Sequence, residues 1–165
     1  MIVLGIDPGS HCTGWGVIES DGRTLRHLAS GAIVAQGESL AARLLSIATG
    51  LEAVMTRYLP HAVAVESIFH AKNSHSALQL GHARGVALLV AARAGASVHE
   101  YNPTQIKQTL TGRGRADKEQ VQKMVRTILG PVGEARLDAS DALAAAICHT
   151  EMSRPNAPPS RTAES

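Results

Sequence analysis

Aromatic side chains are almost absent from this chain: its 165 residues hold one Trp, two Tyr and one Phe. So few rings exclude a core built on aromatic stacking, so the interior must be packed from Ala, Val, Leu and Ile. Cysteine is scarce as well. Cys12 and Cys148 lack metal-ligand spacing and suit a reducing compartment, where a buried Cys is a small hydrophobe. A chain of this length buries enough surface to fold without a disulfide or a structural metal. No apolar run approaches membrane-spanning length. The N-terminus lacks the basic and long apolar regions of a signal peptide. The expectation is a soluble, cytoplasmic protein with no membrane partner. Neither sign of charge dominates: the net charge is +2 and the pI about 8.7, which permits a nucleic-acid partner without demanding one. The length implies one domain, expected over residues 1–151. From Met152 onward, Pro155, Pro158, Pro159 and several Ser predict a disordered polar tail, 152–165.

What is present begins with Ile2-Val3-Leu4-Gly5-Ile6-Asp7-Pro8-Gly9. The apolar run reads as a buried strand. It ends in a carboxylate, Asp7, and Pro8-Gly9 then breaks it. Ligands gather beyond the carboxyl ends of strands in open α/β sheets, although a strand-end Asp making an Asx-turn is common. Residues 14–19 read as a second strand, Asp21-Gly22 as a hairpin turn and 24–34 as a third strand. Apolar residues from Leu40 to Met55 recur at helical spacing, which predicts a helix over 38–58. His61 to Glu66 repeats the opening device, a short apolar strand ending in an acid.

A helix over 74–94 follows, stopped by Gly95. Gly81 and Gly85 inside it each cost about 1 kcal/mol in a helix, so they are expected to serve close packing against another element. Residues 97–101 form a fifth strand. Asn102 to Gln105 carries a capping-box order with Pro at the first helical position and Asp117 to Gln120 a helix cap, which predicts helices to about Leu110 and Leu129. Between them Thr111 to Ala116 is a basic glycine loop. The last helix is predicted from about Asp138 to His149. The order implies an α/β domain with a mixed five-stranded sheet flanked by helices.

That last helix opens Leu137-Asp138-Ala139-Ser140-Asp141. Asp138 and Asp141 are three apart and share a face. Alone, they read as an N-cap and the N3 member of its box. Together with Asp7 and Glu66 the balance changes. If the two strands are neighbours and the helix crosses them, four carboxylates meet, and they cannot all ionise without a counter-charge. Hard divalent cations take such oxygen ligands. Two of them about 3.5–4 Å apart can clamp a phosphoryl displacement.

These motifs, in order, are GIDPGS (5–10), VES-F-AKN (65–73), LGHARGVA (80–87), K-T-G (107–112), DK (117–118), QVQKMVRTIL (120–129) and DASDALAAAICH (138–149). The set resembles the RuvC family of bacterial Holliday junction resolvases, within the RNase H-like nucleases. The resemblance implies an RNase H-like fold and a homodimer that nicks two opposed strands of a four-way DNA junction in recombination and repair. It also implies two Mg²⁺ per active site, with Mn²⁺ as a substitute, and RuvA and RuvB branch-migration proteins as partners. The family's catalytic, metal-binding acids fall on Asp7, Glu66, Asp138 and Asp141.

For DNA binding, Phe69 matches an aromatic that stacks on unpaired bases, and Lys72 and Asn73 follow it. Lys107 and Lys118 match basic positions the family uses for DNA and transition-state charge. Arg113 and Arg115 are plausible phosphate contacts. For each lysine the alternative is a solvated surface, and for Phe69 a core position. Arg84 is read as serving packing or the dimer, and His70, His75 and His82 as ordinary. Helix 74–94 is the candidate dimer interface.

Three other functions share parts of this pattern. An actin-like or sugar-kinase-type ATPase also begins with a strand and D-x-G, but needs two such domains. A related nuclease acting on another nucleic acid would share Asp7, Glu66 and a late Asp. A non-catalytic DNA-binding module leaves four converging acids unexplained.

Overall fold

The computed structural model describes residues 1–67, 73–131 and 137–154. The elements run β1 (Ile2–Asp7), β2 (Cys12–Ser20), β3 (Leu25–Val34), α1 (Leu40–Tyr58), β4 (Ala62–Glu66), α2 (Ser74–Arg93), β5 (Ser97–Tyr101), α3 (Pro103–Thr111), α4 (Lys118–Leu129) and α5 (Leu137–Met152). They form one mixed sheet in the order β3-β2-β1-β4-β5. The first three strands pair antiparallel, while β1–β4 and β4–β5 are parallel. Phe69 and Lys72 lie outside the described residues, as does the chain beyond Arg154.

Period-two alternation divides the buried strands between two cores. Leu4, Ile6, Val17, Val63 and Val65 face α1 and α2. Val3, Ile18, Ala62, Ala64 and Tyr101 face α3, α4 and α5. The result is three layers, with the sheet between two helical covers. The caps fall where the local sequence requires. Asn102 with Gln105, and Asp117 with Gln120, close reciprocal boxes at the starts of α3 and α4. Ser39 and Asn73 cap α1 and α2.

A Cβ at Gly81 or Gly85 would meet nothing within 4 Å among the described residues, so these two glycines serve no close packing within the described fold. The tight contact is at Gly5 and Gly16, cross-strand partners on β1 and β2. A Cβ built on Gly5 would stand 1.8 Å from the Ala142 carbonyl oxygen, and one on Gly16 would stand 2.5 Å from Leu143 Cδ2. Helix α5 therefore lies directly on bare sheet backbone. Its own Ala139, Ala142, Ala144, Ala145 and Ala146 are buried, and their small size lets the axis come close.

Buried polar groups on this side are satisfied. Tyr101 Oη and His149 Nδ1 lie 2.8 Å apart. Burial first, then the neighbouring His99, holds His149 down at about 4. Desolvation pushes the Cys148 thiol up to about 11, consistent with an inert core residue.

Replacing glycine by alanine in a strand ordinarily stabilises by about 0.5–1 kcal/mol. Gly5→Ala is expected to reverse that sign and cost about 3 kcal/mol or more through overpacking against α5. Urea denaturation midpoints measure it.

Candidate active site

Asp7 and Glu66 reach the same place by register. Ile6 pairs with Val65 across β1 and β4, so the next residues, Asp7 and Glu66, end adjacent parallel strands. Alternation puts Asp7 on the face of Gly5, and Glu66 on the face of Ala64, beneath α5. Their side chains share a hydrogen bond. Asp141 comes down from α5, and Lys107 (α3) and Lys118 (α4) enter from the side. Glu66, Lys107, Lys118 and Asp141 line a cleft of about 200 Å³ with Ile106, Val121 and Ala144. A larger groove of about 580 Å³ lies by the β2–β3 hairpin at the other pole, away from the strand ends, so size does not mark the site.

Charge confirms the crowding. Glu66 is driven up to about 7, first by desolvation and then by the Asp141 carboxylate; the bond to Asp7 and the ammonium groups of Lys118 and Lys107 pull the other way. Lys118 Nζ donates to Asp141 Oδ2 at 2.8 Å. The sequence reading missed this ion pair, yet a signal existed. Lys118 is the first residue of α4, where the helix dipole disfavours a cation by about 0.3–1 kcal/mol. A lysine so placed implies an acid within reach.

Asp138 is the second residue of α5 and Asp141 the fifth, because the helix starts at Leu137. The cap-and-box alternative for this pair therefore fails: both acids lie inside the helix. The Asp138 side chain is outside the described set. Among the described residues no three His, Cys, Asp or Glu side chains are gathered as a complete cation site. The converging donors are carboxylate oxygens.

The remaining predicted residues divide. Asn73 Oδ1 accepts from the Ser76 amide as the cap of α2. Arg113 and Arg115 are exposed in the loop between α3 and α4. Arg84 pairs with Glu100 of β5 at the surface. His75 bonds Gln79, and His82 Nδ1 has no hydrogen-bond partner among the described residues. Phe69, His70 and Lys72 lie outside the described residues. No helix among the described residues is long and apolar enough to cross a membrane.

Two titrations oppose each other. The unfolded chain protonates His149 near the ordinary 6.5, the folded chain near 4, so stability is lost as pH falls through that window. Glu66 ionises near 4.5 when unfolded but near 7 when folded, so stability is lost as pH rises through that window. Between pH 4.5 and 6.5 the two slopes offset. In chelator, Glu66→Gln should uncover a stability that climbs with pH by up to about 1.4 kcal/mol per unit, and His149→Gln one that declines. Urea melts at stepped pH read both slopes; an unchanged slope in either variant refutes its assignment.

Comparison with known proteins agrees with this arrangement. Residues 3–149 match the family described as crossover junction endodeoxyribonuclease RuvC. The RuvC of Syntrophotalea carbinolica is 53% identical over 150 residues, covering 90% of this chain and 93% of its own. That of Citrifermentans bemidjiense is 49% identical over 158 residues, covering 95% and 96%. The structure of Thermus thermophilus RuvC in complex with Holliday junction substrate superposes with a TM-score of 0.85 at 39% identity, covering 90% of this chain and 92% of that one. With the RNase H-like sheet, the strand-end acids and a match over nearly its whole length, the chain belongs to the RuvC family of crossover junction endodeoxyribonucleases.

Proposed function

We propose that this protein is a structure-selective endonuclease that binds a four-way DNA junction and nicks two opposed strands, in recombination and DNA repair. The observation that carries the reading is the meeting of Asp7, Glu66 and Asp141 below Lys107 and Lys118. The acids fit a hard divalent cation, because they offer oxygen and neither thiolate nor imidazole. The crowding that holds a proton on Glu66 is what such a cation relieves. Asp7, Glu66, Asp138 and Asp141 would hold two Mg²⁺, with Mn²⁺ as a substitute. When bound, the ions supply an activated water and offset charge on the leaving 3′ oxygen.

The chain's own groups do the rest. Lys107 and Lys118 place positive charge where the phosphate enters and where its charge grows. Arg113 and Arg115 contact flanking phosphates, which makes binding salt-dependent. Phe69, followed in sequence by Lys72 and Asn73, is the aromatic we assign to stacking on unpaired bases at the junction centre, at roughly 1–3 kcal/mol.

One site cuts one strand, so paired nicks need two copies about a two-fold axis. Support for a homodimer comes from α2. Leu78 (61% exposed) and Leu89 (58% exposed) share with Gly81 and Gly85 a face that no described element of this chain covers. Bare glycines beside exposed leucines suit a second helix lying close. RuvA and RuvB are the expected partners and the cytoplasm the expected compartment. Residues 1–151 form the nuclease unit, and 152–165 a polar tail.

Cleavage of a synthetic four-way junction, against linear duplex and with or without Mg²⁺, tests the activity. The junction should be cut selectively and only with the ion; equal cutting of both substrates, or cutting in chelator, contradicts the reading. Asp7→Asn should lower cleavage about a thousandfold or more, roughly 4 kcal/mol of transition-state stabilisation, while junction binding in gel shifts persists. Leu89→Asp should shift the light-scattering mass from dimer to monomer and replace paired nicks by unpaired ones.

A further inference from the structure

Lys118 occupies a position that is unfavourable for a cation unless something holds it. It opens α4, whose exposed amide groups repel an ammonium. Its two sequence neighbours are acids, Asp117, which accepts from the Gln120 amide at 2.8 Å as the cap, and Glu119 in the first turn. Lys118 turns instead to Asp141 on another helix, Nζ to Oδ2 at 2.8 Å. The two ends of this pair differ in cover. Asp141 is 24% exposed, whereas Lys118 is 56% exposed. The ammonium therefore reaches in from the open side of the cleft to an acid that is largely covered. It is held there by the negative charge of the whole cluster, since the Asp141 charge bears on Glu66 and the Lys118 charge relieves it.

We infer that Lys118 is a displaceable counter-cation: its ammonium neutralises Asp141 until a divalent ion takes that carboxylate, and then turns to the incoming phosphate. The inference rests on the reading of the acid cluster as a divalent-ion site. It adds a competition that this reading does not contain. Lysine and metal exclude each other at Asp141, so metal binding to the DNA-free protein is weakened. A phosphate that draws the lysine away strengthens metal binding, and by linkage the metal strengthens the hold on the phosphate to the same degree. The hydrolytic centre is thereby loaded chiefly on substrate.

The test uses Mn²⁺ alone, titrated into the full-length, DNA-free protein and followed by electron paramagnetic resonance of the free ion. Lys118→Met should bind Mn²⁺ about two- to tenfold more tightly than the natural chain. Lys118→Arg, which keeps the charge, should not gain. The gain should fall by at least half when Lys118→Met is made in an Asp141→Asn background, because the competed carboxylate is gone. Lys118→Gln should repeat the methionine result without its apolar tip. An unchanged or weaker affinity in Lys118→Met overturns the inference, as does an undiminished gain in the Asp141→Asn background, which would mean long-range repulsion only. Failure of both the natural chain and Lys118→Met to bind Mn²⁺ overturns the metal reading itself, a result distinct from the other two.

Discussion

The site depends on one steric condition: a helix must lie on the sheet with nothing between them but backbone. Gly5 and Gly16 stand side by side on β1 and β2, and α5 answers with a run of alanines. Ordinary helix-on-sheet packing keeps a layer of side chains between the two. Here that layer is missing over one patch, and the helix comes down far enough for Asp141 to influence carboxylates at the strand ends. Close packing elsewhere in the two cores holds the approach in place.

The same closeness creates the electrostatic problem that defines the site. Glu66 and Asp141 line one cleft, Asp7 is hydrogen-bonded to Glu66, and desolvation and the Asp141 charge work together on Glu66. The fold answers with lysines instead of distance. Lys118 bonds Asp141 directly, and Lys107 contributes through space. Such an arrangement stores no rigidity of its own, because half-exposed ammonium groups are mobile and well solvated. It is a cluster held in balance, ready for a stronger cation.

Much of this was legible in the residues. The five strands, the caps of α3 and α4 and the acids at two strand ends could be read because each is a local signal: an apolar run, a box, a breaker. The glycines were harder. Gly5 and Gly16 look like ordinary small residues inside strands, and only the register that pairs them shows the shared patch. Gly81 and Gly85 invited a packing partner that the described residues do not supply. Composition cannot say whether a glycine faces a neighbour within the fold or open space. The Lys118–Asp141 pair joins helices far apart in sequence, so no spacing rule announces it. Asp138 and Asp141 looked like a capping box, whereas both lie within α5 as it is described from Leu137.

The placement of Asp7 on the first strand and Asp141 on the last helix has a bearing on how the protein is made. A chain emerging from the ribosome exposes β1 early and α5 late, and local helices and hairpins form well before contacts between such distant segments. The nuclease centre therefore has no partial version in the nascent chain. A growing or truncated polypeptide that lacks α5 carries Asp7 and Glu66 on a sheet that α5 has not covered.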